Sequence, residues 1–275
     1  MELQKIIARL TQLDNNRFPR GALRAAIDQF DESTPELLGI LENVLLDPQK
    51  HRHDPKMDLL FAIYLLAQFR EQRAYPLICQ IASLPDDGGE IVSDLLGDVV
   101  TEDLANILAS VSGGDTAPLK AIVENPAIYP YTRSASLRAL TVLMYEGLLP
   151  RDELVAYYLS LFQGGLSRNE DPFIWAVLIR ACCDIHPEEC YDEIRKAYEE
   201  DIVENFFIGL INVEDALNEE KNGFLASKKE HHCFFNDTIT HLETWNCFKP
   251  PKCVVKKRNK LGKAAKKRQN RRKKR

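Results

Sequence analysis

Apolar residues recur along this chain with the period of a helix and almost never with that of a strand. Leu3, Ile6, Ile7, Leu10 and Leu13 fall on one face of an opening helix. The stretch "TPELLGILENVLL" carries the marks of a helix start: Thr34 as N-cap, Pro35 at the first helical position and Glu36 in the first turn. Asp54-Pro55 and Asp171-Pro172 repeat that signal. The pattern predicts an all-α fold.

Two kinds of helix alternate in the middle of the chain. "LLFAIYLLAQF" (59–69) and "FIWAVLIRACC" (173–183) are apolar nearly all round and must be covered on most sides, with "LANILASV" (104–111) and "SLRALTVLMY" (136–145) as milder versions. Each is followed by an amphipathic helix that begins at or beside Pro76, Pro118, Pro150 or Pro187, at intervals of 42, 32 and 37 residues. In the third, Leu154, Val155, Tyr158, Leu159 and Phe162 form the apolar stripe and Arg151, Asp152 and Ser160 the other face. A proline in the first turn forfeits no hydrogen bond and presets the backbone. Helix, short turn and proline-started helix recurring at this spacing predict a HEAT- or armadillo-like helical-hairpin solenoid. Residues 201–248 are less regular, with a short helix in "FFIGLINVEDALN" and a final capping helix in "NDTITHLETWNCF" that brings Trp245 and Phe248 to the core. "KPPK" (249–252) ends the pattern. The expected organisation is a helical domain over 1–248 and a disordered Lys/Arg-rich tail over 249–275, whose composition cannot offset its own ordering entropy.

Charge changes the picture more than composition does. The formal net charge of −5 over 275 residues conceals a division at residue 249. The final 27 residues hold 15 Lys or Arg and no acid, so residues 1–248 carry 21 bases against 41 acids, a net of −20. Within the tail, Lys256, Lys257, Arg258, Lys260, Lys263, Lys266, Lys267, Arg268, Arg271, Arg272, Lys273, Lys274 and Arg275 form a block that binds polyanions by counterion release. It has no aromatic residue on which a base could stack, so its binding is expected to be sequence-tolerant. A solubilising charge run is the plainer alternative.

The body resembles a bacterial family of unknown function, domain-of-unknown-function family 1186, on "FPRGALRAAI", "YLLAQFREQRAYPLI", "LLGDVVTEDLANILASV", "CCDIHPEECYDEIRKAYE" and "DTITHLETWNCF". The resemblance implies a HEAT-like helical fold and a bacterial, cytoplasmic setting; it implies no reaction. For many members it also implies a following zinc knuckle like that at the C-terminus of the SecA motor, with a Cys-x-Cys pair, a Gly-Ser-Gly turn and a final Cys-Cys or Cys-His. Here only Cys253 stands in the corresponding place, amid Lys and Arg, so no zinc site is carried over.

The remaining candidates are weaker. Seven cysteines, an odd count with two adjacent, point to reduced thiols. The opening "MELQKIIARL" is unlike a secretory signal, and the longest apolar run, 59–67, is short for a membrane span, so the expectation is a soluble cytoplasmic protein. Cys182 and Cys183 diverge by about 100° on a helix and suit packing better than a shared zinc with His186 and Cys190. His231, His232, Cys233, His241, Cys247 and Cys253 lack a tight C-x-x-C anchor, and "HRHD" (51–54) is expected in a charged loop. Asp86, Asp87, Glu90, Asp94, Asp98, Glu102 and Asp103 form an acidic stretch that would face solvent or hold a basic partner. Asp94 and Asp98, four apart, are the one pair for acid–base or metal chemistry. No phosphate loop, nucleophile elbow or dinucleotide fingerprint occurs.

Together these observations predict a non-enzymatic scaffold without cofactor, holding a protein partner on its helical body and RNA, at the ribosome for instance, on its tail. Two alternatives stand beside it: an autoinhibited module whose tail folds on its own acidic face, and an enzyme or metal site at Asp94 and Asp98. An arm addressed to anionic lipid is a third, without an amphipathic or lipidated companion.

Overall fold

A computed structural model describes residues 2–12, 17–53, 57–85 and 90–248. The fold is all-α, with no strand among the described residues. In chain order the helices are α1 (Leu3–Thr11), α2 (Arg20–Asp28), α3 (Phe30–Leu46), α4 (Pro48–His53), α5 (Asp58–Phe69), α6 (Ala74–Ala82), α7 (Glu90–Leu96), α8 (Val99–Glu102), α9 (Leu104–Val111), α10 (Ala117–Glu124), α11 (Pro130–Tyr145), α12 (Arg151–Ser160), α13 (Pro172–Asp184), α14 (Tyr191–Glu199), α15 (Leu210–Asn218), α16 (Lys221–Lys228) and α17 (Thr238–Leu242).

The near-continuously apolar helices make one row. α3 packs on α5, α5 on α9, α9 on α11 and α11 on α13. The proline-started helices make a second row, in which α6 touches α3, α9 and α10, while α10 lies on α11 and α12 on both α11 and α13. Each unit thus meets mainly its neighbours, the layered order expected of stacked helical hairpins. Some of the start signals act as expected, while Asp54 and Pro55 lie outside the described residues. Asp171 caps α13 by accepting from the Phe173 amide at 3.0 Å, Pro150 immediately precedes α12, and Pro118 sits in the first turn of α10.

Two local expectations change. α3 begins at Phe30, so Pro35 lies inside it and Thr34 is no N-cap: its Oγ1 donates back to the Phe30 carbonyl at 2.7 Å. Burial of Ser33 and Thr34 and the contact of the Phe30 and Phe69 rings extend the helix upstream. Asp31 and Pro35 lie on the exposed side, where water can replace the missing backbone bond. "HRH" at 51–53 is the end of α4 rather than a loop, with Arg52 reaching both Glu90 and Asp94.

One buried charge ties α11 to the loop before α13. Arg133, 1% exposed, donates Nε to the Val123 carbonyl and Nη2 to Glu170, both at 2.9 Å. The guanidinium holds the Glu170 carboxyl below the usual carboxylate range.

The less regular C-terminal region departs most from expectation. Residues 229–248 do not cap the last hairpin. They form a strap that runs back along the first row of helices to the beginning of the domain. His232 stacks on Tyr145 of α11 with ring centroids 5.1 Å apart. The Cys233 carbonyl accepts from Asn106 Nδ2 at 2.6 Å, and the Phe235 amide donates to Ser110 Oγ at 2.8 Å. Arg70 donates to the Phe235 carbonyl and to Asn236 Oδ1, both at 2.6 Å, and lies over the Phe234 ring. The Thr238 amide donates to Gln68 at 2.9 Å. α17 packs on α2 and α5, Glu243 pairs with Arg20, and Phe248 inserts between the rings of Phe18 and Phe61. Trp245 and Phe248 do reach the core, at its opening end. The strap is also what covers the remaining side of α5, in which every residue from Phe61 to Ala67 is buried.

Truncating Phe248 to Ala removes a ring from this contact and is expected to cost about 3 kcal/mol in urea-induced unfolding. Glu170→Ala strands a buried guanidinium and is expected to cost a similar amount, about 3 kcal/mol.

Candidate functional site

The acidic stretch is not one face. Asp86 and Asp87 lie outside the described residues, as does the whole basic tail, Cys253 included. Gly97, at φ +52°, ends α7, and Asp98 becomes the N-cap position of α8, so Asp94 and Asp98 do not share a helix. The Asp94 and Glu90 carboxylates accept from Arg52 at 2.5 and 2.9 Å. Asp103 turns inward: Tyr64 Oη donates to its Oδ2 at 2.5 Å, and His241 Nε2 lies 2.7 Å from the same oxygen. Asp94, Asp98, Glu102 and Asp103 nevertheless border one shallow groove, together with Trp245, Asn246 and Cys247 at the end of the strap.

The Tyr64–Asp103–His241 chain was invisible in the sequence, since its members come from α5, the start of α9 and the strap. It ties the strap to α5 and to the start of α9. Asp103 holds His241 above the usual imidazole range, and burial followed by the Asp103 charge pushes the Tyr64 hydroxyl upward. His232 is shifted oppositely, below its ordinary value, because burial disfavours its charged form.

The cysteine cluster is packing. Cys79, Cys182, Cys183 and Cys190 are buried, whereas Cys233 and Cys247 are exposed. Burial raises the Cys182 thiol and pushes Cys183 up to about 12, so neither is a thiolate at neutral pH. His186, also buried, sits edge-on to Phe224. Among the described residues no group of three or more His, Cys, Asp and Glu side chains is arranged to hold a metal ion. No helix among them is long and apolar enough to cross a membrane.

A second concavity lies beside the point where the strap begins. It encloses about 470 Å³ between α11 and α13. Its length is set by a repeat: an aromatic residue stands seven positions before an arginine in both helices, Tyr131 with Arg138 and Phe173 with Arg180. Seven residues are nearly two turns, so each pair lies on one helix face. The rings meet at one end, Tyr131 and Phe173 at 5.0 Å and Phe173 and Phe207 at 5.2 Å. Ala135, Val177 and Ala181 make the floor. At the other end are Arg138, Arg180, Lys228, His231 and His232. Asp184, 7% exposed, positions them: its carboxylate lies 3.5 Å from Arg180, 3.9 Å from Lys228 and 3.9 Å from His232. Arg138 donates to the Thr101 carbonyl at 2.8 Å. Three permanent cations against one carboxylate make this a positive groove on an acidic body. Phe206 beside it is fully exposed, and Tyr131 and Phe207 are nearly half so. The paired aromatic–arginine spacing is a signal the sequence carries, though the expectations drawn from the sequence passed over it; the approach of Lys228 at the end of α16 and of His232 on the strap has no such signal.

The family described as protein of unknown function (DUF1186) matches residues 1–249. An uncharacterized protein of Chlamydia trachomatis serovar D is 35% identical over 251 residues, covering 89% of this chain and 96% of that protein. An uncharacterized protein of Chlamydia muridarum is 34% identical over 251 residues, covering 89% and 97% respectively. No solved structure matches the chain.

The two strap histidines should respond oppositely to pH. His241 has a folded pKa above its ordinary 6.5, so its contribution is complete below that value and fades as pH rises through the higher one. His232 has a folded pKa below 6.5, so its contribution is complete above that value and fades as pH falls through the lower one. In melting curves taken on both sides of neutrality, His241→Gln is expected to lower Tm most in acid and His232→Gln most in mild base.

Proposed function

The chain belongs to the DUF1186 family, and on that premise we propose that it is a non-enzymatic scaffold of the bacterial cytoplasm, its helical body holding a protein partner and its basic tail holding RNA. The observation that carries this reading is the segregation of charge. A body of net −20 repels a polyanion over most of its surface, while 13 Lys and Arg within residues 256–275 attract it. Contact with nucleic acid is thereby confined to the tail, and the helical surface stays free for protein. The exposed rings of Phe206, Phe207 and Tyr131 are the apolar surface that such a partner would cover.

A second reading is favoured by one specific observation. Asn246 and Cys247, just before the tail, border the groove that also contains Asp94, Asp98 and Glu102. A tail starting there can fold onto those carboxylates, so RNA and the body's own acids would compete for it.

The full chain is expected to bind oligouridylate with an affinity that falls by about 0.7 log units per decade of salt for each phosphate engaged. Deletion of 256–275 should abolish that binding, and undiminished binding by the deleted chain would refute the tail's role. Under the competing reading, Asp98→Asn with Glu102→Gln should tighten RNA binding and expand the free protein in small-angle scattering.

A further inference from the structure

The strap shows what kind of segment the first row of helices holds. Residues 232–237, "HCFFND", lie along it with backbone groups bound by Asn106, Ser110 and Arg70. The recognition is double: Arg70 lies over one ring, Phe234, and donates to the polar side chain two residues on, Asn236. Phe235, buried, meets Tyr64 with ring centroids 4.9 Å apart. An arginine thus takes an aromatic residue and a following acceptor from an extended segment.

The strap joins the row at His232, after α16 and the short turn Lys229–His231. The next stretch of the same face, between α11 and α13, is the groove of about 470 Å³, and among the described residues no further segment lies across it as the strap lies across the first stretch. Its chemistry has the same two parts. Tyr131, Phe173 and Phe207 offer ring faces and edges, and Arg138, Arg180 and Lys228 offer charge. The Arg180 side chain is 57% exposed. Its nearest anion, Asp184, also faces Lys228 and His232 and does not neutralise the group.

We propose that this groove binds an extended peptide segment of a partner protein in which an aromatic side chain is followed closely by acidic residues. The aromatic side chain seats against Tyr131, Phe173 and Phe207, and the carboxylates reach Arg180, Arg138 and Lys228. Charge decides against a nucleic-acid strand here: the positive groove is short, and the surrounding body of net −20 would repel the phosphates on either side of it. A short segment with one or two carboxylates meets the cations without that penalty. The inference rests on the proposed scaffold role and names the partner's chemistry and its seat.

The test is selection of a displayed random-peptide library on the immobilised full chain at physiological salt, in parallel on Arg180→Gln, Arg180→Lys and Phe207→Ala. Both positions are exposed, and unchanged melting curves establish that the variants are folded. The basic tail is common to all four proteins, so peptides held by the tail cancel in the comparison. The wild type is expected to enrich segments pairing Phe, Tyr or Trp with Asp or Glu. A synthetic peptide from that pool should bind roughly tenfold more weakly to Arg180→Gln, the loss of one charge-assisted contact, and less weakly to Arg180→Lys. Phe207→Ala should abolish the preference for the aromatic residue while keeping that for the acids. No enrichment over the variants, enrichment of basic peptides, or loss of oligouridylate rather than peptide binding in Arg180→Gln overturns the proposal. Should the peptides fail while a partner still binds the helical body at another surface, the scaffold reading survives and the groove assignment does not.

Discussion

The return of residues 229–248 across the first row of helices is the contact on which the rest of the structure depends. A stack of hairpins buries each unit against the next and leaves its two ends and one face open. Here one segment closes the first end and half of the face. It fills the side of α5 that α3 and α9 do not reach, seats Phe248 between Phe18 and Phe61, and holds α17 against α2. It also defines the groove by stopping short of it. The uncovered stretch between α11 and α13 is concave because the covered stretch beside it is full.

Much of this was legible in the sequence because helix periodicity is local. The apolar runs at 59–69 and 173–183 demanded burial on most sides, and they have it. Prolines at 118, 150 and 187 fell at or just before helix starts because a proline's fixed φ favours the first turn. The failures were of two physical kinds. Pro35 was read as a start, and tertiary burial of Ser33 and Thr34 overrode that local signal. The strap was read as a cap because nothing within "NDTITHLETWNCF" says which end of the stack it meets. His241 and Asp103 are 138 positions apart, and no spacing rule links them.

The acidic stretch teaches the same lesson about charge. Read linearly, 90–103 is a block of carboxylates. In space, Arg52 takes Glu90 and Asp94, while Tyr64 and His241 take Asp103. Of that block, Glu90, Asp94, Asp98 and Glu102 keep the solvent-facing role expected of all, the first two while paired with Arg52, and Asp103 alone among the described members turns inward. The cationic groove is the converse case. Its charges are dispersed over α11, α13 and the end of α16, so no single window of the sequence contains them, yet Asp184 gathers Arg180 and Lys228 at one mouth.

A strap whose partners were translated long before it has a kinetic meaning. During vectorial synthesis the early hairpins leave the ribosome first, with the apolar flank of α5 and the Phe18 and Phe61 rings uncovered until residue 248 emerges. Closure at this seam is a long-range step, slow to nucleate compared with the hairpins themselves. The nascent domain therefore presents a sticky surface for most of its elongation, the condition under which chaperone engagement and aggregation compete with folding.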